Sequence, residues 1–247
     1  LTMKIKGFAI GMSLLVWGTV TIFSQGFLKA EGKRIVDEKG NEIILRGMGL
    51  GGWMLQEGYM LQIDGQGMQH TIKARITDLI GQENCDRFYD LWLQNHMTRA
   101  DVDSLARWGF NSIRLPMHYN LFTLPIEKEP VQGQNTWLDK GFALTDSLLA
   151  WCKANQLYLI LDLHAAPGGQ GKDANISDYD EAKPSLWESE FNKQKTIALW
   201  KKLAERYAGE PYIGGYDIIN EPNWTFEGKN QNGLEDTLNK PIWELYH

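Results

Sequence analysis

The sequence predicts an α/β domain built on parallel strands, and three observations lead to this prediction. Short, continuously apolar runs alternate with longer amphipathic segments, which is typical of a parallel sheet covered by helices on both faces. Polar side chains collect where the apolar runs end. No Gly-x-Gly-x-x-Gly loop leads from a strand into a helix, so the alternation favours a barrel over a doubly wound nucleotide-binding sheet.

The composition is that of a globular domain and argues against a nucleic-acid partner. The chain has 247 residues, 43% hydrophobic and 23% charged, which suits one large domain or two small ones. The net charge of −6 gives no indication of a basic surface for nucleic acid. Many aromatic residues could serve as flat sugar platforms, or simply as core. Cys85 and Cys152 have neither metal-ligand spacing nor the density of a disulfide scaffold, and we interpret Cys152 as a buried thiol.

Residues 1–26 have the pattern of a secretory signal peptide. Lys4 and Lys6 precede an apolar run from Phe8 to Phe23, and small residues follow it. The prediction is a secreted or periplasmic protein with no stable membrane association after cleavage. An uncleaved membrane anchor is the alternative, although the run is short for a bilayer span. The cleavage site stays open among Ser24, Gly26 and Ala30.

The first elements of the domain are a hairpin and a glycine-rich segment. Two β-rich runs, Arg34–Val36 and Glu42–Leu45, flank a turn with Gly40 and predict the hairpin. The second run continues into glycines and then Trp53, which is either a sugar platform or a lid over the core.

The next predicted element is an inserted helix at Asn84–Met97. It carries Phe88, Leu91, Trp92 and Asn95 at helical spacing. The helices and strands of three further repeats follow it. A capping box at Thr98 and Asp101 opens a helix through Trp108, which Gly109 ends. The remaining predicted elements are a strand at Phe110–Pro116, a helix at Leu138–Asn155, a strand at Tyr158–His164, a helix at Glu188–Tyr207 and a strand at Tyr216–Asn220.

Polar groups at the strand ends mark the candidate site. Arg114 lies inside an apolar run and therefore needs a carboxylate partner, in a site or in a purely structural ion pair. Asp162 and His164 are two residues apart and share one face of their strand. Pro222 biases Glu221 towards extended geometry, so we predict Glu221 at the last position of its strand. A turn after the strand is the alternative interpretation.

Together these residues resemble glycoside hydrolase family 5, the cellulase and β-glucanase family of (β/α)8 TIM barrels. The resemblance covers strands one to four in the order of the family. The loop Ala165–Gln170 is also similar to loops of the exo-glucanase-like branch. The matching stretches are Leu45–Gly47 through Gly52–Trp53, Asn111–Pro116, Asp162–His164 and Asn220–Pro222.

The resemblance implies a role for each matching residue. Glu221 would be the general acid/base, and Asn220 would hydrogen-bond the 2-hydroxyl of the reacting sugar. Arg114 would lie under the nucleophile and keep it ionised, and His164 would line the subsite for that sugar. The implied activity is retaining hydrolysis of a β-glucan without a cofactor or metal. Trp53, Tyr119, Trp187 and Trp224 are candidate sugar platforms, although each could equally be packing.

The sequence departs from the family in one respect. The nucleophile of the family is a glutamate at the end of strand seven, and no matching residue is found in this sequence. A complete barrel takes about 250 residues, and this chain has reached only strand four at Asn220. Glu227, Glu235 and Glu244 do not follow apolar runs. We therefore expect residues 27–247 to be the N-terminal part of a catalytic domain, about its first four βα units, with the nucleophile outside this chain.

Two other hypotheses remain open. A non-catalytic carbohydrate-binding half-barrel would have two unpaired sheet edges and would need dimerisation to cover them. A metal-dependent barrel hydrolase would use Asp162, His164 and His118, but the first strand lacks a His-x-His pair and the histidines lack ligand spacing.

Overall fold

The computed structural model describes residues 26–63, 67–224 and residue 245, and its centre is a sheet of four parallel strands. The strands of this sheet lie in chain order, β3-β4-β5-β6, as consecutive βα units require. A separate antiparallel pair, β1-β2, precedes it. The strands are β1 Lys29–Glu31, β2 Arg34–Val36, β3 Gly47–Gly49, β4 Ser112–His118, β5 Tyr158–Ala165 and β6 Ile213–Asp217.

Helices connect the parallel strands, and an extra helical pair is inserted after β3. The insertion was predicted as one helix, and α1 was missed because only Ile72 of its residues is buried. In α2 the buried residues are Cys85 and Leu93, whereas Phe88 and Leu91 are exposed. The helices are α1 Gln69–Ile80, α2 Gln82–Asn95, α3 Arg99–Arg107, α4 Asp139–Ala154, α5 Ala174–Ser177 and α6 Glu190–Tyr207.

The predicted N-terminal hairpin is only partly correct. The β2 strand pairs with β1, and its contact with the predicted second arm is a single bridge between Val36 and Glu42. The arm diverges because the Asn111 side chain donates to the Ile44 carbonyl and accepts from the Arg46 amide, which leads the chain into β3.

The capping box of α3 is confirmed. The Asp101 carboxylate accepts from the Thr98 backbone amide at 2.8 Å, and the Thr98 side chain accepts from the third residue of the helix. Gly109 ends this segment at φ +88°, a conformation in the left-handed region that favours glycine.

The core lies between the parallel sheet and helices α3, α4 and α6. The central strands β4 and β5 are buried on both faces along nearly their whole length, as their continuous apolar runs predict. The apolar face of α4 packs inward through Phe142, Leu148, Leu149 and Cys152, and the interpretation of Cys152 as a buried thiol is confirmed.

The fourth parallel strand begins and ends three residues earlier than predicted. Gly214 lets β6 pass close to β5, because a Cβ at this position would lie 2.8 Å from Cβ of Tyr158. Beyond β6 the chain stays anchored, since the Asn220 amide donates to the Leu163 carbonyl at 3.1 Å. Glu221 therefore lies four residues past the strand rather than at its end.

The predicted signal peptide lies outside the described residues except for Gly26, whose carbonyl accepts from the Tyr158 hydroxyl at 3.1 Å. Glu227, Glu235 and Glu244 also lie outside them. Within 26–63 and 67–224, no helix combines the length and apolar character that a bilayer crossing requires.

Candidate active site

Arg114 forms the centre of a charged cluster on three neighbouring strands, β4, β5 and β6. Its Nη2 lies 3.0 Å from Asp162 Oδ2 and donates to Asp217 Oδ2 at 2.8 Å. Asp162 and Asp217 are register partners on β5 and β6, so the guanidinium offsets the repulsion between two adjacent carboxylates. Arg114 thus has the carboxylate partners that we predicted from its position inside an apolar run. The same Nη2 donates to Asn220 Oδ1 at 2.8 Å, which ties the cluster to the residue before Glu221.

His164 joins this cluster from the same face of β5. Its Nδ1 lies 2.6 Å from Asp162 Oδ2, and its Nε2 lies 3.6 Å from Glu57 Oε1. Burial lowers the pKa of His164, but the hydrogen bonds and charges of Asp162 and Glu57 outweigh burial and raise it to about 9. The imidazole is therefore protonated at neutral pH. The side-chain nitrogen of Asn220 lies 3.3 Å from His164 Nε2. Both atoms are donors when the imidazole is protonated, so the bond from Arg114 to Oδ1, and not this contact, holds the amide group in place.

Glu57 is a site residue that the sequence analysis missed. It follows β3 in an irregular segment and is only 4% exposed, although it is ionisable. The signal was present in the sequence, because Glu57 ends an otherwise apolar stretch and its carboxylate would need a buried partner. That partner is His164, which no local pattern around Glu57 could identify.

Glu221 is exposed and adopts φ +42°, in the left-handed region. The prediction of extended geometry is therefore wrong, and the turn interpretation describes the backbone. Pro222 disfavours the right-handed helical conformation of the preceding residue and favours an extended one, so the positive φ of Glu221 departs from this preference. The Glu221 carbonyl accepts from the Asn223 amide at 2.7 Å, which closes a tight turn. Gly171 passes close by, since a Cβ there would lie 3.0 Å from this carbonyl oxygen.

Gln170 connects the ends of β5 and β6 beneath this turn, and sequence reasoning did not single it out. Its side chain is fully buried and donates to the carbonyls of His164 and Asn220 at 2.7 and 2.8 Å. Its Oε1 accepts from the Ala166 amide at 3.0 Å. All three polar bonds of the Gln170 amide therefore hold backbone that carries the candidate site.

The four aromatic candidates occupy different environments. Trp187 is half-buried, and its indole donates to the Gln170 carbonyl at 2.8 Å. Trp53 is 2% exposed and its indole donates to the Leu93 carbonyl at 2.8 Å, so it covers the core and offers no free face to a sugar. Tyr119 is half-buried beside the imidazole of His118, and burial raises the pKa of its phenol. Trp224 is half-buried, with Lys172 Nζ 5.4 Å from its ring centroid. Trp224 therefore keeps part of its surface near Glu221, whereas Trp53 does not.

The three residues of the metal hypothesis do not share one site. His118 Nε2 lies 2.9 Å from Asp178 Oδ2, whereas His164 is engaged by Asp162 and Glu57. The His118 Nδ1 accepts from the Asn120 amide, so its Nε2 carries the proton that Asp178 accepts. Among the described residues, no group of three or more ligating side chains is arranged to hold a metal ion.

Comparison of the chain with known proteins identifies relatives among glycosidases. A family model described as cellulase (glycosyl hydrolase family 5) matches residues 36–242. A beta-xylosidase of Phanerodontia chrysosporium is 38% identical over 196 residues, which is 79% of this chain and 39% of that protein. A probable glucan 1,3-beta-glucosidase A of Aspergillus niger is 28% identical over 196 residues, which is 78% of this chain and 44% of that protein. The chain thus spans less than half the length of these relatives.

Solved structures show the same fold. Rutinosidase from Aspergillus niger superimposes with a TM-score of 0.62 at 18% identity, over 81% of this chain and 56% of that one. An endogalactoceramidase gives a TM-score of 0.55 at 17% identity, over 90% of this chain and 48% of that one. With the family match, these likenesses confirm the predicted α/β barrel fold, of which the described residues contain four parallel strands.

Proposed function

Because this chain belongs to glycoside hydrolase family 5, we propose that it acts as a secreted, retaining β-glycosidase on β-glucans, with Glu221 as the general acid/base. The observation that carries the proposal is the position of Asn220 and Glu221. Asn220 is fixed by Arg114 and contacts His164, and the next residue, Glu221, is exposed. An exposed carboxylate that adjoins this cluster in the chain is accessible to a substrate.

The proposed chemistry needs two carboxyl groups with different tasks. In a retaining glycosidase the acid protonates the departing oxygen while a carboxylate about 5–5.5 Å away attacks the sugar. The carboxylates beside Arg114 and His164 are Asp162, Asp217 and Glu57, and each is engaged by one of these cations. We propose that they orient Arg114 and His164, and that the nucleophile is a glutamate of a later strand outside this chain.

The relatives support two candidate sugars. Several are named glucan 1,3-beta-glucosidase, which favours a β-glucan. The beta-xylosidase is more similar, at 38% identity, and makes a β-xyloside the second candidate. The signal-peptide pattern at residues 1–26 supports the proposed secretion. N-terminal sequencing of protein recovered from the culture medium tests that part, and an intact N-terminus on cell-bound protein would contradict it.

The catalytic proposal is tested in the longest natural reading frame that contains this chain. Glu221→Ala should abolish hydrolysis of aryl β-glycosides with poor leaving groups, whereas good leaving groups should still depart because they need no acid assistance. The glycosyl-enzyme formed from such an activated substrate should then hydrolyse slowly, because the variant also lacks the base that activates water. Added azide should restore turnover by attacking this intermediate, and should give a glycosyl azide of retained configuration. Parallel assays on aryl β-glucoside and aryl β-xyloside identify the sugar.

The matched control is Glu205→Ala, which removes an exposed glutamate of α6. Equal losses in the two variants would contradict the role of Glu221. If the protein binds a polysaccharide but hydrolyses neither aryl glycoside, the non-catalytic hypothesis is supported instead.

A further inference from the structure

A cavity lies outside the candidate active site. Its volume is about 230 Å³, and it opens between the segment that follows β4 and the first turns of α6. It shares no residue with the cluster of Arg114, His164 and Asn220.

The floor of this cavity is a buried and fully bonded ion pair. The side chains of Lys195 and Glu129 are 2% and 1% exposed, and Lys195 Nζ lies 2.5 Å from Glu129 Oε1. Lys195 also donates to Asn135 Oδ1 at 3.0 Å, and Glu129 accepts from the Thr136 hydroxyl at 2.7 Å. These bonds fix the floor and neutralise its charge.

The carboxylate at the rim of the cavity is also paired. Glu127 Oε1 lies 2.8 Å from Lys183 Nζ, which in turn lies 3.5 Å from Asp180 Oδ2. The remaining polar groups that line it are the amides of Gln132, Gln134, Asn135 and Gln194. A lining of paired charges and neutral amides suits an uncharged, polyhydroxylated ligand better than an ion.

The wall of the cavity supplies an exposed aromatic face. Phe191 is 42% exposed although it lies in the first turn of α6, beside the cavity. Gly133 adopts φ +82°, and a Cβ there would lie 3.7 Å from Cε1 of the ring. The glycine therefore lets the opposite wall turn tightly next to Phe191.

We propose that this cavity is a second carbohydrate site, which binds one glycosyl residue of a polysaccharide. The Phe191 ring would pack against the apolar C–H face of a pyranose, and the four amides would bond its hydroxyl groups. Its segments follow the carboxyl end of β4 and precede α6, so it opens on the side of the sheet where Glu221 lies. Binding there would raise the effective concentration of the polymer at the candidate active site. The inference extends the proposed function but stands on different residues.

Affinity electrophoresis of the purified protein tests the proposal, with laminarin or xylan cast in native gels and Glu221→Gln as the background that prevents hydrolysis. Retardation should occur with at least one polymer. Phe191→Ala should weaken it about tenfold, as expected for loss of an aromatic anchor. Trp108→Ala, which removes an indole that is 73% exposed on the far end of α3, should leave it unchanged.

A second variant guards against misfolding of the first. Gln132→Ala combined with Gln134→Ala changes only exposed side chains and should also weaken retardation. The proposal is overturned if neither polymer retards the protein, or if retardation is the same in wild type, Phe191→Ala and the double variant. With Glu221 intact, hydrolysis of a small aryl glycoside by the longest natural reading frame that contains this chain should not respond to Phe191→Ala. Phe191-dependent retardation, together with no hydrolysis by that longer protein, would uphold this site and contradict the proposed catalysis.

Discussion

Glu221 owes its position to hydrogen bonds made by its neighbours. The Asn220 carbonyl accepts from Gln170, and the Asn220 side chain accepts from Arg114. On the other side, the Asn223 side chain accepts from the Lys172 amide at 2.6 Å. The left-handed turn at Glu221 is thus held from both sides by the segment that follows β5, which is consistent with a backbone conformation that would be costly without such support.

Removal of the Gln170 amide should therefore loosen both strand ends. Gln170→Ala leaves the carbonyls of His164 and Asn220 and the amide of Ala166 without their buried partner. We expect a loss of about 1–3 kcal/mol in the free energy of unfolding, measured by urea denaturation. Gln82→Ala removes an exposed glutamine from α2 and should change the stability by less than about 0.5 kcal/mol. Equal stability of the two variants would show that Gln170 does not support the site.

His164 should make the stability depend on pH in the alkaline range. Its folded pKa of about 9 lies above the ordinary value of 6.5, so the stabilisation is complete below pH 6.5 and is lost as the pH rises through 9. At about 1.4 kcal/mol per pKa unit, the loss between pH 6 and pH 10 is about 3 kcal/mol. Urea titrations of the wild type and His164→Gln at both pH values measure it.

The difference in the free energy of unfolding between pH 6 and pH 10 should be smaller in His164→Gln than in the wild type. It should persist in His96→Gln, which removes an imidazole outside the cluster, stacked on Trp92. A wild-type stability that rises between pH 6 and pH 10 would contradict the assigned protonation of His164.

At the scale of elements, the buried Lys195 fastens α6 to the segment between β4 and α4. Lys195→Ala leaves Glu129 ionised, buried and without its cation, which should destabilise the fold by about 3–5 kcal/mol. The control is Lys201→Ala, because Lys201 is exposed on the same helix and its removal should cost less than about 0.5 kcal/mol. Thermal unfolding followed by circular dichroism compares them. A melting temperature of Lys195→Ala within error of Lys201→Ala would refute the role of the pair.

The sequence predicted the elements whose pattern is local. The strands β4 and β5 were found because their apolar runs are continuous, and α4 because one face is consistently apolar. The helix α1 escaped detection because it packs a single buried isoleucine, so its periodicity is weak. The limits of β6 were misjudged because its glycines do not resemble a strand until Tyr158 is seen to pack against them.

The candidate site shows the same division between local and distant information. Arg114, Asp162, His164 and Asn220 were predicted to meet because parallel strands end on one side of a sheet, and the structure brings them together. Glu57 and Gln170 reach the same cluster from irregular segments. Their partners are distant in sequence, so no periodicity could have identified them.

At the scale of the molecule, the four parallel strands supply only some of the parts that retaining hydrolysis requires. The described residues contain the candidate acid Glu221 and the cations Arg114 and His164. The nearby carboxylates Asp162, Asp217 and Glu57 are engaged by these cations. The mechanism also needs a free carboxylate about 5–5.5 Å from the acid, which we expect from a later strand of the barrel.

The purified 247-residue chain should therefore not hydrolyse aryl β-glucoside, aryl β-xyloside or laminarin. The longest natural reading frame that contains it should hydrolyse at least one of these substrates, and loss of that activity in Glu221→Gln would tie it to the acid. Folding of the short chain must be checked by circular dichroism, because inactivity of an unfolded sample says nothing about the nucleophile. Hydrolysis by the folded short chain that disappears in Glu221→Gln would mean that one of its own carboxylates is the nucleophile. Asp217→Asn would then be the first variant to examine, because Asp217 is the more exposed of the two aspartates beside Arg114.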